Sequence, residues 1–500
     1  MTINVDQDKI LAMMQPEVLK IRTVIKGTPF VKMAGQALLP SPNEVDKTSA
    51  QALTQYNKYK AGAEFDEYTT QTLTSMIGKL NLDDFTPELD SGIEYLINDF
   101  DGDGCTLKGA VESFASNVLA VNWHIAAAEY MGLQGVPLED ISKADAEKLN
   151  PRATVKQYPR ESVVKAHFST INGKRQLSFI MLVEHGQVFD QGSYITSEVV
   201  SYIILALDEK GNYYQQKLVE SEKGGISEGA RDYVTVSGTP LKFIPLQIIS
   251  SQEINHDLPQ QLGFLSPIAE ICLHRYNTSA DYKEALRKFV PTTDVFGMTD
   301  TDVEIFDTVN GRKYRATGQT NLWPSNEIRI ETTSTDGSLE SFENYDKTSK
   351  EKIRSLGGVV PEYSQGDTTA TEALINSAEQ NAVLNPLVSG IEMSTKKLLA
   401  YCAMFEGLTT QENVNDYAES ISFDMPRDFS KVAPNTEAGR FVIEMVNSRL
   451  MTIEQATKKL IALGWHEGDL KEIIDQVENI EPAITIEDDL GEVDEVSQNG

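Results

Sequence analysis

Between residues 262 and 356 the apolar spacing changes from helical to strand-like and back, and this switch constrains the fold more than any other feature. Apolar residues over 262–290 recur at three or four, and Pro291 ends the run because proline has no amide donor and biases its predecessor out of the helical region. At about 1.5 Å per residue this helix is about 40 Å long. Residues 292–340 then carry three short strand-like runs, 303–306, 312–316 and 327–331, divided by Asn310-Gly311, Gly318 and Trp323-Pro324. Helical spacing returns over 339–356 and stops at Gly357-Gly358. The pattern predicts an α+β chain with a small β insertion bracketed by two helices.

The flanking segments add three more regions. From Ala50 to about Gln134 the spacing is helical, with Tyr56, Tyr59, Ala63, Leu73, Met76 and Ile77, then Val118, Leu119, Trp123 and residues 125–128. Residues 162–250 read as strands, namely 178–183, 202–207, 213–219 and 241–246, separated by Asn172-Gly173, residues 210–212 and Ser237-Gly238. A second long helix is predicted over 371–405, with Pro386 inside it and a kink expected there. Two more helices fit 436–462, where Thr452 and Gln455 have capping-box spacing. The last twenty residues hold seven acids and no Lys or Arg, so 481–500 reads as a disordered acidic tail.

Composition excludes several functions. With 75 acidic against 44 basic residues, the 500-residue chain has a formal net charge of −31, and 24 of those charges remain without the tail's seven acids. Electrostatic gripping of nucleic acid needs a basic footprint instead. The length fits about two to four domains of roughly 100–200 residues. Cys105, Cys272 and Cys402 are too far apart for a CxxC metal clip and odd in number, which suits free thiols in a reducing compartment. The N-terminus has acids where a secretory signal needs basic residues, and no apolar stretch approaches the roughly 20 residues that span a bilayer. These features predict a soluble protein made in the cytoplasm.

No motif carries catalysis. The six histidines are scattered, and GxSxG, GxxxxGK[ST] and post-strand GxGxxG patterns are absent, so no enzyme, cofactor or metal is expected. Asp99-Phe-Asp-Gly-Asp-Gly104 opens like a calcium loop, but position twelve is Ala110 where the bidentate glutamate belongs. It reads first as a turn ahead of the helix at Leu107, and only second as a calcium site. Arg312-Lys313-Tyr-Arg315, together with Arg275, Lys283, Arg287 and Lys288, are the candidates for a local positive face; a solvated face with partners such as Glu284 is the plainer reading.

Several strings, taken in order, resemble the portal, or head-to-tail connector, proteins of tailed double-stranded DNA bacteriophages. They are residues 56–65 with 69–78, the Asp99–Gly104 turn followed by Thr106-Leu107, the 241–245 segment, Arg275-Tyr-Asn-Thr-Ser-Ala-Asp-Tyr282 with Pro291 after it, and 368–373. The resemblance runs over about 350 residues and also explains the broken calcium loop as a helix start. It implies a portal-like subunit: a wing over 1–261 with its β-rich part at 162–250, stem helices at 262–290 and 339–356, a clip at 291–338, a tunnel loop at 357–370, a long wing helix over 371–429, and a crown at 430–480. The loop's place stays open between 357–370 and 381–386.

The resemblance further implies a ring of about twelve subunits at one capsid vertex, through which DNA is packaged and ejected. Ser364, Gln365, Asp367 and Thr368 would face the DNA channel, and Arg312, Lys313 and Arg315 would face terminase. Expected partners are other copies of the chain, the terminase large subunit, tail adaptors, the major capsid and scaffolding proteins, and the DNA itself, with no membrane. The protein would be assembled in the host cytoplasm and reside in the virion. Alternatives are another virion structural protein, such as an adaptor or capsid component, or an acidic calcium-binding enzyme.

Overall fold

The computed structural model describes residues 8–41, 50–80, 82, 85, 87–131, 152–171, 173–190, 195–220, 226–252, 254, 257–289, 292–309, 320–333, 340–360, 370–427, 429, 452 and 455. Residues 1–427 form one compact unit and 428–500 another.

The centre of the first unit is a three-stranded antiparallel sheet in which β1 (Trp123–Met131) pairs with β2 (Arg152–Tyr158) on one side and β10 (Leu246–Ser250) on the other. Helical spacing had placed 123–128 in a helix, and the structure corrects this. The preceding helix, α5 (Leu107–Val121), ends at Asn122, whose φ of 76° is a left-handed cap and whose amide closes the last turn on the Val118 carbonyl. Every residue of 123–128 is buried, so tertiary burial overrides the helix preference of the alanine run. Both α5 and α9 (Ala370–Phe405) pack on this sheet and on each other. α9 runs unbroken with Pro386 inside it, over the predicted span.

Beside it lies a five-stranded antiparallel sheet of β3 (Val163–Ile171), β4 (Lys174–Asp190), β5 (Ile195–Leu207), β6 (Tyr213–Glu220) and β7 (Ile226–Tyr233), in that order. Its middle strands match the expected ones but are longer, and a short hairpin of β8 (Thr235–Val236) and β9 (Thr239–Pro240) follows β7. The predicted strand at 241–246 is instead the crossover between sheets: the Leu241 carbonyl accepts from Tyr213 and the Pro245 carbonyl from Ala128. Pro245 has no amide to continue a ladder, so pairing begins one residue later, at Leu246.

Helices α1 (Lys9–Ile25) and α2 (Thr28–Ala34), which the spacing from Ala50 onward does not include, join α3 (Ala50–Gly62) and α4 (Tyr68–Lys79) in the predicted helical region. Asp8 caps α1 through the amides of Ile10 and Leu11, and Glu67 holds the start of α2 through the Thr28 amide and hydroxyl. In the second unit the expected capping box is formed: the Gln455 amide donates to Thr452 Oγ1 at 3.3 Å and the Thr452 amide to Gln455 Oε1 at 3.4 Å. The rest of the crown and the acidic tail lie outside the described residues.

Candidate functional site

The bracketed insertion is present as an arm built from α6 (Ser266–Phe289), α8 (Glu340–Ser355) and the elements between them. Its root is fixed by Arg160, a nearly buried guanidinium with carbonyl rather than carboxylate partners. Arg160 donates to the carbonyls of Val121 at 2.5 Å, Gln261 at 2.7 Å and Gln260 at 3.3 Å, and lies 5.0 Å from the Trp123 ring. Burial pulls its pKa down to about 10, which leaves it charged at neutral pH. Trp123 Nε1 donates to the Pro259 carbonyl and the Leu265 amide to the Leu119 carbonyl, so 259–265 is tied at four residues before α6 begins. Gly263 is required there, because an added Cβ would overlap the backbone of Leu119 and Ala120.

Halfway along the arm, Arg275 joins α6 to α8. Only 8% of its side chain is exposed; it pairs with Asp66 at 2.6 Å and Asp346 at 2.7 Å, donates to the Asp346 carbonyl at 3.0 Å, and lies over the Tyr68 ring. Burial would raise the Asp346 carboxyl, but the Lys350 hydrogen bond and the Arg275 charge outweigh it and hold the pKa below 3.8. Lys283 is paired with Glu64. Two of the residues proposed for a positive face are thus consumed in ion pairs, which tie α6 to the 64–66 segment and, through Arg275, to α8. A cavity of about 430 Å³ lies beside Arg275, walled by Asp66, Tyr282, Phe342, Asp346 and Lys350, with Tyr282 and Phe342 rings 5.4 Å apart.

The arm ends in a sheet of β11 (Thr292–Met298), flanked by β12 (Thr320–Pro324) in parallel and β13 (Arg329–Thr333) in antiparallel pairing. The predicted strand at 303–306 belongs to a helix, α7 (Asp300–Val309), that links β11 to β12. The reason is local: Thr299 Oγ1 accepts from the Asp302 amide while the Asp302 carboxylate accepts from the Thr299 amide, a reciprocal cap that starts a helix. A parallel neighbour also needs such a crossover.

The two faces of this sheet differ. On one, the Phe296 and Trp323 rings stack at 5.9 Å, the Arg329 guanidinium lies 4.3 Å over Phe296, and Trp323 Nε1 donates to Asp294. The opposite face carries Val295, Leu322 and Ile330, which the register places side by side. Ile330 is 69% exposed, Ile328 beside Gly297 is 89% exposed, and Ile305 on α7 is 57% exposed. Arg312, Lys313, Arg315, Ser364, Gln365, Asp367 and Thr368 all lie outside the described residues. Sequence reasoning passed over Ile328 and Ile330 because an alternating strand is expected to bury one face.

The Asp99 turn is saturated by its own backbone. Asp99 Oδ1 accepts from Gly102 and Gly104, Asp101 Oδ1 accepts from Asp103 and Cys105, and Arg152 pairs with Asp99 Oδ2. Thr106 then caps α5 through the Gly109 amide. No group of three or more His, Cys, Asp or Glu side chains is placed to hold a metal among the described residues, and none of their helices is long and apolar enough to cross a membrane.

The chain matches no protein-family model and no curated protein. Among solved structures it is similar to a component of the virion of a native gene transfer agent particle, over 88% of this chain and 100% of that one, at 12% identity and a TM-score of 0.35, values too low for a shared fold to be argued from them.

Proposed function

We propose that the chain is a portal-type ring subunit of a DNA-containing virion. The observation that carries the reading is the arm: two helices tied together by Arg275 carry between them a small sheet whose apolar face is left to solvent. In a ring, α6 and α8 would stand side by side with their copies as the stem, and the β11–β13 sheet would form the clip that meets neighbouring subunits, then terminase, then tail adaptors. The resemblance of the ordered sequence strings adds the capsid vertex and the DNA channel.

The net charge of −31 suits a channel. B-DNA carries one phosphate per about 1.7 Å of axis, and each phosphate contact retained by a wall would brake its passage. An acidic lumen repels the polymer and lets it slide. The chemistry is then mechanical support rather than catalysis, with the motor supplied by terminase. Negative-stain images of the purified full chain test the reading: rings of about twelve copies with a central hole support it, and particles of single-chain size sink it.

A further inference from the structure

The five-stranded sheet is uneven. β3 pairs with β4 only as far as Leu182, and β6 pairs with β5 only from Ser201 onward, whereas the β4–β5 ladder continues to Asp190 and Ile195. Among the described residues, Val183 to Asp190 of β4 are open on the β3 side, about 27 Å at roughly 3.4 Å per residue, and from His185 to Asp190 β4 and its β5 partners form a two-stranded ribbon open on both edges. Such ribbons are marginal alone in water. Beside this open edge, a groove of about 860 Å³ lies over one face of β4, β5 and β6, between the sheet, α1 and the corner at Tyr158–Ser162. Its lining includes Leu19, Tyr158, Glu161, Glu184, Gln187 and Lys217.

We propose that the open edge of β4 receives strand β7 of a second copy of the chain. Two observations single out that occupant. β7 is the edge strand on the far side of the same sheet, and its eight residues match the eight open positions of β4. Every neighbour in the sheet is antiparallel, so β4 and β7 run in opposite directions, and β7 of one copy beside β4 of the next continues the alternation. In full overlap Asp232 of the incoming strand lies opposite Glu184, whose carboxylate is already held by Lys156. Because the two edges lie on opposite sides of one sheet, the contact is head-to-tail and repeats from copy to copy. The inference rests on the ring reading for closure, while the strand pairing is a separate claim.

In full overlap His185 of one copy lies opposite Arg231 of the next. The test is a His185→Cys, Arg231→Cys double variant in a Cys105→Ser background, oxidised at neutral pH and run on a non-reducing gel, with Gln187→Cys replacing His185→Cys as a register control. A ladder of covalent oligomers and loss of the monomer band is expected for at least one pair, with each single variant staying monomeric on the gel. Dimers from a single His185→Cys variant would mean that ribbons pair with each other and would overturn the proposal. Rings in native mass spectra without a ladder from either pair would overturn it and leave the ring reading intact. A ladder without rings would uphold the strand pairing and sink the ring.

Discussion

The central layer and the distal arm are built on opposite terms. Around β1 the interior is closed: Trp123, Ile125, Phe114, Leu387, Val388 and Ile391 are fully buried, and α9 comes so near β10 that only glycine fits at position 390. The arm's sheet is three short strands with one face open and isoleucines standing in water. A domain that had only to be stable would cover those side chains, since burying one is worth about 1.5–3 kcal/mol. The contrast places self-sufficiency in the core and incompleteness in the arm, which is what an assembling surface requires.

The largest effect that would break this comparison is in the core. Helix propensity favours Ala over Gly in a helix interior by about 1 kcal/mol, yet at Gly390 an added Cβ would overlap the Ser250 carbonyl oxygen. Gly390→Ala is expected to cost about 3 kcal/mol in urea unfolding. A stabilised variant would show that the core is loose.

Acid should separate the regions. His124 is buried against Phe114, and burial, with the Arg22 charge, lowers its pKa to about 4 against the opposing effect of the hydrogen bond its ring makes to Gln157 Oε1. The neutral folded form therefore contributes stability that is complete above pH 6.5 and lost as pH falls from 6.5 to 4, about 3 kcal/mol in all. Asp346 in the arm, with its lowered pKa, contributes stability that is present above 3.8 and lost only as pH falls below it. Unfolding of wild type and His124→Gln at pH 7 and pH 4 should show a smaller acid loss in the variant; equal losses would remove His124 from the account.

Next comes the middle of the arm. Arg275→Met leaves Asp66 without its cation and Asp346 with Lys350 alone, and is expected to cost about 2 kcal/mol, less than a fully buried pair because both carboxylates reach solvent. The smallest stability effect belongs to the tip. Ile328→Ser with Ile330→Ser should shift unfolding by no more than about 0.5 kcal/mol, since both side chains are already in water. The same variant should nevertheless lose rings in native mass spectra. A large drop in stability would instead show that the tip is folded core.

Much of this division is legible in the sequence, for stated reasons. The arm's two helices follow from apolar spacing ended by Pro291 and by Gly357-Gly358, and α9 from spacing alone. The strand at Trp123–Met131 was hidden because Ala126, Ala127 and Ala128 favour helices locally and only burial on the finished sheet reverses them. Helix α7 was hidden because a Thr-x-x-Asp cap is a weaker signal than the expected Ser/Thr-x-x-Glu box. Arg275 read as surface charge because its partners, Asp66 and Asp346, are 209 and 71 residues away. Long-range pairing of that kind leaves no periodic trace.

The central claim, that an incomplete arm becomes complete in a ring, is tested most directly by native mass spectrometry of the purified full chain. The account predicts a dominant closed oligomer of about twelve 55.4 kDa subunits. A chain that remains monomeric under the same conditions would contradict it.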